Sequence, residues 1–345
     1  MTSSEHATVA TVSGRTSGLT KGLRSAGVPL VIVVVVAAIA VSQAFELFVN
    51  RVLRPDATEW TWISEVVMAG ALVVVTTLWV HLQESRQAVS ALERERLVIQ
   101  AELELAADVQ RALLPVVPEP LDGCGWHAAL ESARQVGGDY YDFFSLTDGR
   151  MCVVVADVSG KGVPAAVFLS NVRALLHAVA RETDSPSALL RALSDTMQAD
   201  SRTPLYVTMF VALVDTARRT MTYANAGHPP GIVHGRLARA LSVGGPPVGL
   251  VPNAMYDQET VALEAGELVV IVSDGITDAL DVGGEAMASA VCAQLRQNAV
   301  KTPRAACESL LAATRDSGGP SGVDGWADDR TVVAFGWSVG SQASS

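Results

Sequence analysis

Two apolar runs constrain this chain more than any other feature. "VPLVIVVVVAAIAVSQAFELF" fills residues 28–48 and "WISEVVMAGALVVVTTLWVHL" fills residues 62–82. Each is close to the ~20 residues a helix needs to cross a bilayer. Neither carries a charge at its centre, and Trp60, Trp62 and Trp79 bound the second run, as suits rings at a membrane interface. A pair of buried core helices is the competing reading, and Val-rich runs of this length fit it poorly. Arg15, Lys21 and Arg24, with Ser42-Gln43-Ala44 further on, also resemble a cleaved signal. The preferred reading is an uncleaved span. Arg86, Arg94 and Arg96 follow the second run and place what comes next on the cytoplasmic side.

The expected organisation is a cytoplasmic tail (1–27), a first span (28–48), a short external loop (49–61) and a second span (62–82). A helical, coiled-coil linker (83–115), a catalytic domain (116–338) and a tail (339–345) follow. The expected location is the cytoplasmic membrane, crossed twice, with both termini and the catalytic domain inside. The external loop is too short for a folded ligand-binding module.

Composition agrees. The chain is 49% hydrophobic and 18% charged, with a mean hydropathy of +0.31, too apolar for an ordinary soluble enzyme. Its formal net charge of −11 argues against a nucleic-acid partner, which needs a concentrated basic face. Cys124, Cys152, Cys292 and Cys307 form no CxxC pair and read as reduced, buried thiols.

Residues 82–115 contain no Gly, and their only Pro is the last residue. Placing Leu82, Val89, Arg96, Leu103 and Gln110 at a puts Ser85, Leu92, Ile99, Ala106 and Leu113 at d. This is a heptad with polar interruptions. It predicts a homodimer through the linker, against the alternative of one amphipathic helix packed on the next domain. The two readings can hold at its two ends.

From about residue 120 the pattern changes. "GRMCVVVADVSG", "LYVTMFVALVD", "TMTYANAG", "ELVVIVSDG" and "RTVVAFGW" read as buried strands. "VPAAVFLSNVRALLHAVARE", "SPSALLRALSDTMQA", "EAMASAVCAQLRQNA" and "PRAACESLLAATRDS" read as helices. Helices in successive pairs, with strands grouped, favour an α+β sandwich over alternating βαβ units.

Acidic residues recur at the ends of these strands. Asp139 follows Gly137-Gly138, Asp157 precedes "VSGKG", Asp274 precedes Gly275, and Asp328-Asp329 precede "RTVVAF". One such Asp is usually a turn former. Four sites brought to one end of a sandwich would repel each other unless a divalent cation neutralised them, and oxygen ligands favour Mg2+ or Mn2+.

"VGGDYYDFF", "ADVSGKGVPAA", "ANAGHPP", "GGPPVGL", "VSDGITDA" and "DDRTVV" resemble, in this order, the PPM-type metal-dependent serine/threonine phosphatases of the sporulation stage II protein E and RsbU family. The preceding "VQRALLP" resembles that family's leading helix, so the likeness runs over residues 106–337. It implies two stacked antiparallel sheets flanked by helices, an α-β-β-α sandwich, with two divalent cations at one edge. It also implies hydrolysis of phosphoserine or phosphothreonine by a metal-activated water. A nucleotide cyclase would need an acid and Phe directly after Gly-Gly-Asp, where Tyr140-Tyr141 stand. "DVSGKG" lacks the spacing of a P-loop.

The resemblance makes Asp157 the carboxylate that bridges both metals, with the Val158 carbonyl beside it. Asp139 holds one metal, directly or through water, and Asp274 and Asp328 hold the other. Arg134, five residues before Asp139, stands at the phosphate-binding offset and reads equally as a surface residue. Asp142, Asp329, Ser159 and His228 are candidates to stand beside the metal ligands; Asp142 reads equally as a polar strand residue, and His228 also reads as a turn histidine. Ser159 stands where eukaryotic relatives carry a His, which leaves the general acid unassigned, and Asp278 replaces a frequent Glu. The implied substrate is a phosphorylated anti-anti-sigma protein of the STAS type. The alternative is a silent membrane scaffold for the same regulators. A sensor kinase would need a nucleotide loop and a phosphoacceptor His, and His81 sits at a membrane edge.

Overall fold

The computed structural model describes residues 39–48, 51, 61–133, 135–160, 162–199, 205–282, 286–315 and 328–337. The expected tails, most of the first span and most of the external loop lie outside them, as does Arg134.

The chain falls into two compact units, Met1–Val98 and Ile99–Ser345. The first contains α1 (Ile39–Phe48) and the greater part of α2 (Thr61–Leu113). Helix α2 is the one described helix long and apolar enough to cross a membrane, with a window of mean hydropathy 1.8 that is not buried among the described residues. Within that stretch the hydroxyls of Thr76 and Thr77 bond back to the Leu72 and Val73 carbonyls at 2.8 Å. These polar groups are therefore satisfied inside the helix.

The second unit is the α+β sandwich. One sheet runs β1 (Cys124–Glu131), β11 (Arg330–Trp337), β10 (Leu268–Val272), β6 (Gly231–His234) and β7 (Arg239–Leu241). The other runs β2 (Asp139–Ser145), β3 (Met151–Val158), β4 (Val207–Asp215), β5 (Thr220–Ala226) and β8 (Gly244–Gly245), with β9 (Glu259–Ala262) also paired to β5. Pairing is antiparallel except for the short parallel contact of β5 with β8.

The strands read as unbroken apolar runs because both of their faces are covered. In β3, Val153 and Val155 enter the core between the sheets, while Cys152, Val154 and Ala156 face α3 (Val163–Val179) and α4 (Pro186–Ala199). The other sheet turns Val270, Val272 and Val332 toward α5 (Asp274–Ala279), α6 (Ala286–Gln297) and α7 (Pro303–Arg315). Strands β1, β2 and β6–β9 and the short α5 were not expected from sequence. They are brief, or polar enough to lose the apolar signal. All four cysteines are buried and unpaired.

Candidate metal centre

Four corners of the sandwich meet at one edge. Asp139 opens β2, and Asp157, near the end of β3, is its direct partner in the antiparallel register. Strand β11 begins just after Asp328-Asp329, and its neighbour β10 ends just before Ser273-Asp274. The two sheets are joined here by the Thr331 hydroxyl, which donates to Asp139 Oδ2 at 2.6 Å.

Asp139 is 3% exposed. Burial raises its proton affinity well above the usual carboxylate range, the charge of Asp157 raises it further, and the Thr331 and Ser273 hydroxyls offset part of the effect. A desolvated acid beside a second acid is a place that favours added positive charge.

The oxygen array around Gly138 suits a hard cation. A Cβ there would lie 2.9 Å from Asp157 Oδ1, 3.0 Å from the Val158 carbonyl and 3.4 Å from the Gly160 carbonyl. Gly138 leaves that cradle open. Among the described residues no three His, Cys, Asp or Glu side chains close around a point by themselves.

Asp329 shapes the loop before Asp139. It is buried, and its two carboxylate oxygens accept from the Ala133 N–H at 2.8 Å and the Gly138 N–H at 2.7 Å. Gln110 of α2 grips the same loop, donating to the Gly137 carbonyl at 2.9 Å and accepting from the Gly137 N–H at 3.1 Å. Ser273 is the N-cap of α5 without capping it. Its hydroxyl donates to the Asp329 carbonyl at 3.2 Å and accepts the Thr331 N–H at 2.9 Å. A Cβ on Gly275 would meet the Asp329 carbonyl at 2.0 Å, so the start of α5 lies directly on the 328–329 backbone.

The remaining candidates divide. Asp142 makes its contacts away from Asp139. Side chains alternate along a strand, and Asp142 shares the helix-facing side with Tyr140. There it accepts from the Tyr140 hydroxyl, contacts His177 Nε2 at 2.7 Å and lies 3.8 Å from Arg173 Nε. Ser159 Oγ accepts the Tyr206 N–H at 2.9 Å, extending the β3–β4 pairing. His228 is buried behind Thr208, the residue opposite Asp157 on β4. Sequence reasoning passed over Gln110 as a ligand of the loop, and over Ser273, Thr331 and Thr208. For Ser273 and Thr331 the available signal was a hydroxyl residue adjacent to or two positions from an acid; Thr208 and Gln110 offered no such signal.

The sequence profile of stage II sporulation protein E (SpoIIE) matches residues 147–338. The chain belongs to this family. The matched stretch includes Asp157, Asp274 and Asp328 and begins just after β2. Among curated relatives, the phosphoserine phosphatase RsbU of Bacillus subtilis is 29% identical over 198 residues, covering 56% of this chain and 58% of RsbU. The chain thus spans little more than half the length of that relative. Among solved structures, the SiaA-PP2C domain of Pseudomonas aeruginosa shares the fold with a TM-score of 0.59 at 22% identity, over 70% of this chain and 97% of that one. The RsbU and RsbW domains of Rv1364c from Mycobacterium tuberculosis give 0.55 at 26% identity, over 65% and 62%.

Proposed function

We propose that this chain is a metal-dependent phosphoprotein phosphatase that removes phosphate from serine or threonine of a regulatory protein, an anti-anti-sigma factor of the STAS type. The observation that carries this reading is the Asp139–Asp157 pair beside the oxygen cradle over Gly138. Family membership and the likeness to RsbU support it.

Asp139, Asp157 and the Val158 carbonyl would hold one divalent cation, Mn2+ or Mg2+, with Asp157 shared, and Asp274 and Asp328 would hold a second. When bound, such ions acidify water and offset charge on phosphoryl oxygens. The protein's part is positional. Asp329 and Gln110 hold the loop that delivers Asp139, and Thr331 fixes the direction of its carboxylate.

We extend the proposal to a membrane-anchored homodimer, with α2 as the second span and its C-terminal part as the linker. Its uncovered apolar stretch supports the anchor, and the heptad supports the pairing. Resistance of the membrane-bound chain to carbonate extraction tests the anchor, and cross-linking in membranes tests the pairing.

Phosphate release by the full-length chain in detergent micelles tests the activity, on a generic phosphomonoester and on a phosphorylated STAS protein. Turnover that requires Mn2+ or Mg2+ and stops with chelator is expected. No turnover with either metal on either substrate would replace the enzyme with a scaffold.

A further inference from the structure

Residues 246–258 lead from β8 to β9 over the metal end of the second sheet. Val248 bridges Val207 at the start of β4, with hydrogen bonds of 3.0 and 2.8 Å exchanged between the two. Val207 in turn lies opposite Val158, whose carbonyl belongs to the oxygen cradle over Gly138. The three valines stand side by side, so Val248 is two strand spacings, ~10 Å, from Val158. Leu205 makes a second link. A Cβ on Gly160, whose carbonyl also faces the cradle, would lie 3.5 Å from Leu205 Cδ2, and one on Gly249 would lie 3.9 Å from the Leu205 carbonyl.

The tip of this loop is fixed at its base and apolar at its surface. The Gly249 N–H donates to Ser194 Oγ at 3.2 Å and its carbonyl accepts from the Gln198 amide, both on α4. Ala254 and Tyr256 are buried in the core beneath, whereas Leu250, Val251 and Met255 are exposed. No charged residue occurs from Leu250 to Met255. Val163 and Val167, on the first turns of α3 just after Gly160, are exposed as well. From residue 115 on, eight large apolar side chains are exposed among the described residues, and these are five of them. Such concentration at one end of the domain is a patch rather than ordinary scatter.

We propose that Leu250, Val251 and Met255, with Val163 and Val167, form the surface on which the phosphorylated protein docks. The partner that fits is a folded protein with an apolar patch beside its phosphorylated residue. A stable protein partner buries about 800 Å² on each side, a disc of about 16 Å radius. Centred on the oxygen cradle, such a disc reaches the tip. A small phosphomonoester does not. The tip carries no charge with which to hold a basic or acidic peptide, so its contribution is apolar contact with a shaped surface. This deepens the phosphatase reading and rests on its placing of the substrate phosphate at the metal edge.

The test uses the full-length chain in detergent micelles with Mn2+, and compares p-nitrophenyl phosphate with a phosphorylated STAS protein. The readout is the ratio of kcat/KM on the protein to kcat/KM on the small ester. In the double variant Leu250→Asp, Met255→Asp this ratio should fall at least about tenfold, the scale of losing an interface anchor. Met255→Leu, which keeps the apolar surface, should hold the wild-type ratio. An unchanged ratio in the double variant overturns the docking surface, whether both activities hold or both fall together. In that case a rate altered only in phosphatidylglycerol vesicles gives the tip to the lipid surface, and a lower particle mass in micelles gives it to a second copy of the chain. If the wild type releases phosphate from neither substrate, the phosphatase reading fails and equilibrium binding of the phosphorylated protein decides. Binding weakened by the same factor in the double variant upholds the surface; equal binding, or none to the wild type, overturns it.

Discussion

Gln110 and Gly137 close a two-point ring of hydrogen bonds, side-chain amide to main-chain amide, at 2.9 and 3.1 Å. Gly137 lies two residues before Asp139, so the last turn of α2 reaches the metal edge through one side chain. In the heptad reading Gln110 is a polar flaw in a coiled-coil seam. In the folded domain it is polar because it binds the backbone of the loop.

Replacing Gln110 with Ala leaves both Gly137 groups to water or to nothing, at a cost of about 1–3 kcal/mol. We expect a lower unfolding midpoint in urea together with weaker Mn2+ binding. Gln110→Glu keeps the acceptor and loses the donor, and should fall between the two. Unchanged Mn2+ affinity in Gln110→Ala would show that the ring does not hold the loop in place.

Gly138→Ala puts a methyl where three oxygens converge, 2.9 Å from Asp157 Oδ1. Overpacking of this kind costs about 1–3 kcal/mol, but the larger effect should fall on the cation. We expect a folded protein by near-ultraviolet circular dichroism that neither binds Mn2+ nor turns over a phosphomonoester. Wild-type turnover would remove the cradle from the proposal.

Asp157→Asn should abolish phosphate release and leave the fold intact. The substitution also removes the charge that opposes ionisation of Asp139. Without metal the variant should therefore be at least as stable as the wild type. With metal at a hundredfold excess over its dissociation constant, the wild type should gain about 2.7 kcal/mol and the variant much less. Thermal unfolding with and without Mn2+ measures both, and near-normal turnover in folded Asp157→Asn would end the assignment.

His228 provides a pH signature. Its pKa is about 3 when folded, against 6.5 for an unperturbed histidine. Above 6.5 neither state binds the proton and the residue contributes no pH dependence. As pH falls from 6.5 toward 3 the unfolded chain takes up a proton that the folded one refuses, so stability is lost. The slope attributable to this residue approaches about 1.4 kcal/mol per pH unit. Across that window, unfolding of His228→Gln should lose stability less steeply than the wild type; parallel curves would contradict the buried neutral ring.

Inserting one to four residues between Leu92 and Ile99 tests whether α2 transmits a signal or only tethers. If rotation is transmitted, activity in membranes should vary with the helical period of ~3.6 residues. Activity indifferent to every insertion would leave a tether.

Local sequence determined a good deal of this protein. The apolar runs of β3, β4, β10 and β11 are legible because strands covered on both faces must be apolar throughout. The four acid positions were legible as acids at strand ends, three of them beside or close to glycines. Which acids share a face was not, because a step of one or three residues along a strand reverses the side chain. That step sends Asp139 to the edge between the sheets and Asp142 to Tyr140, Arg173 and His177. Nor could the chain order show that Thr331 reaches Asp139 across 192 positions, or that Asp329 holds Gly138 across 191. Those contacts exist only after two sheets have stacked. Local periodicity carries burial, whereas hydrogen bonds between distant segments depend on register and layer order, which the tertiary fold alone decides.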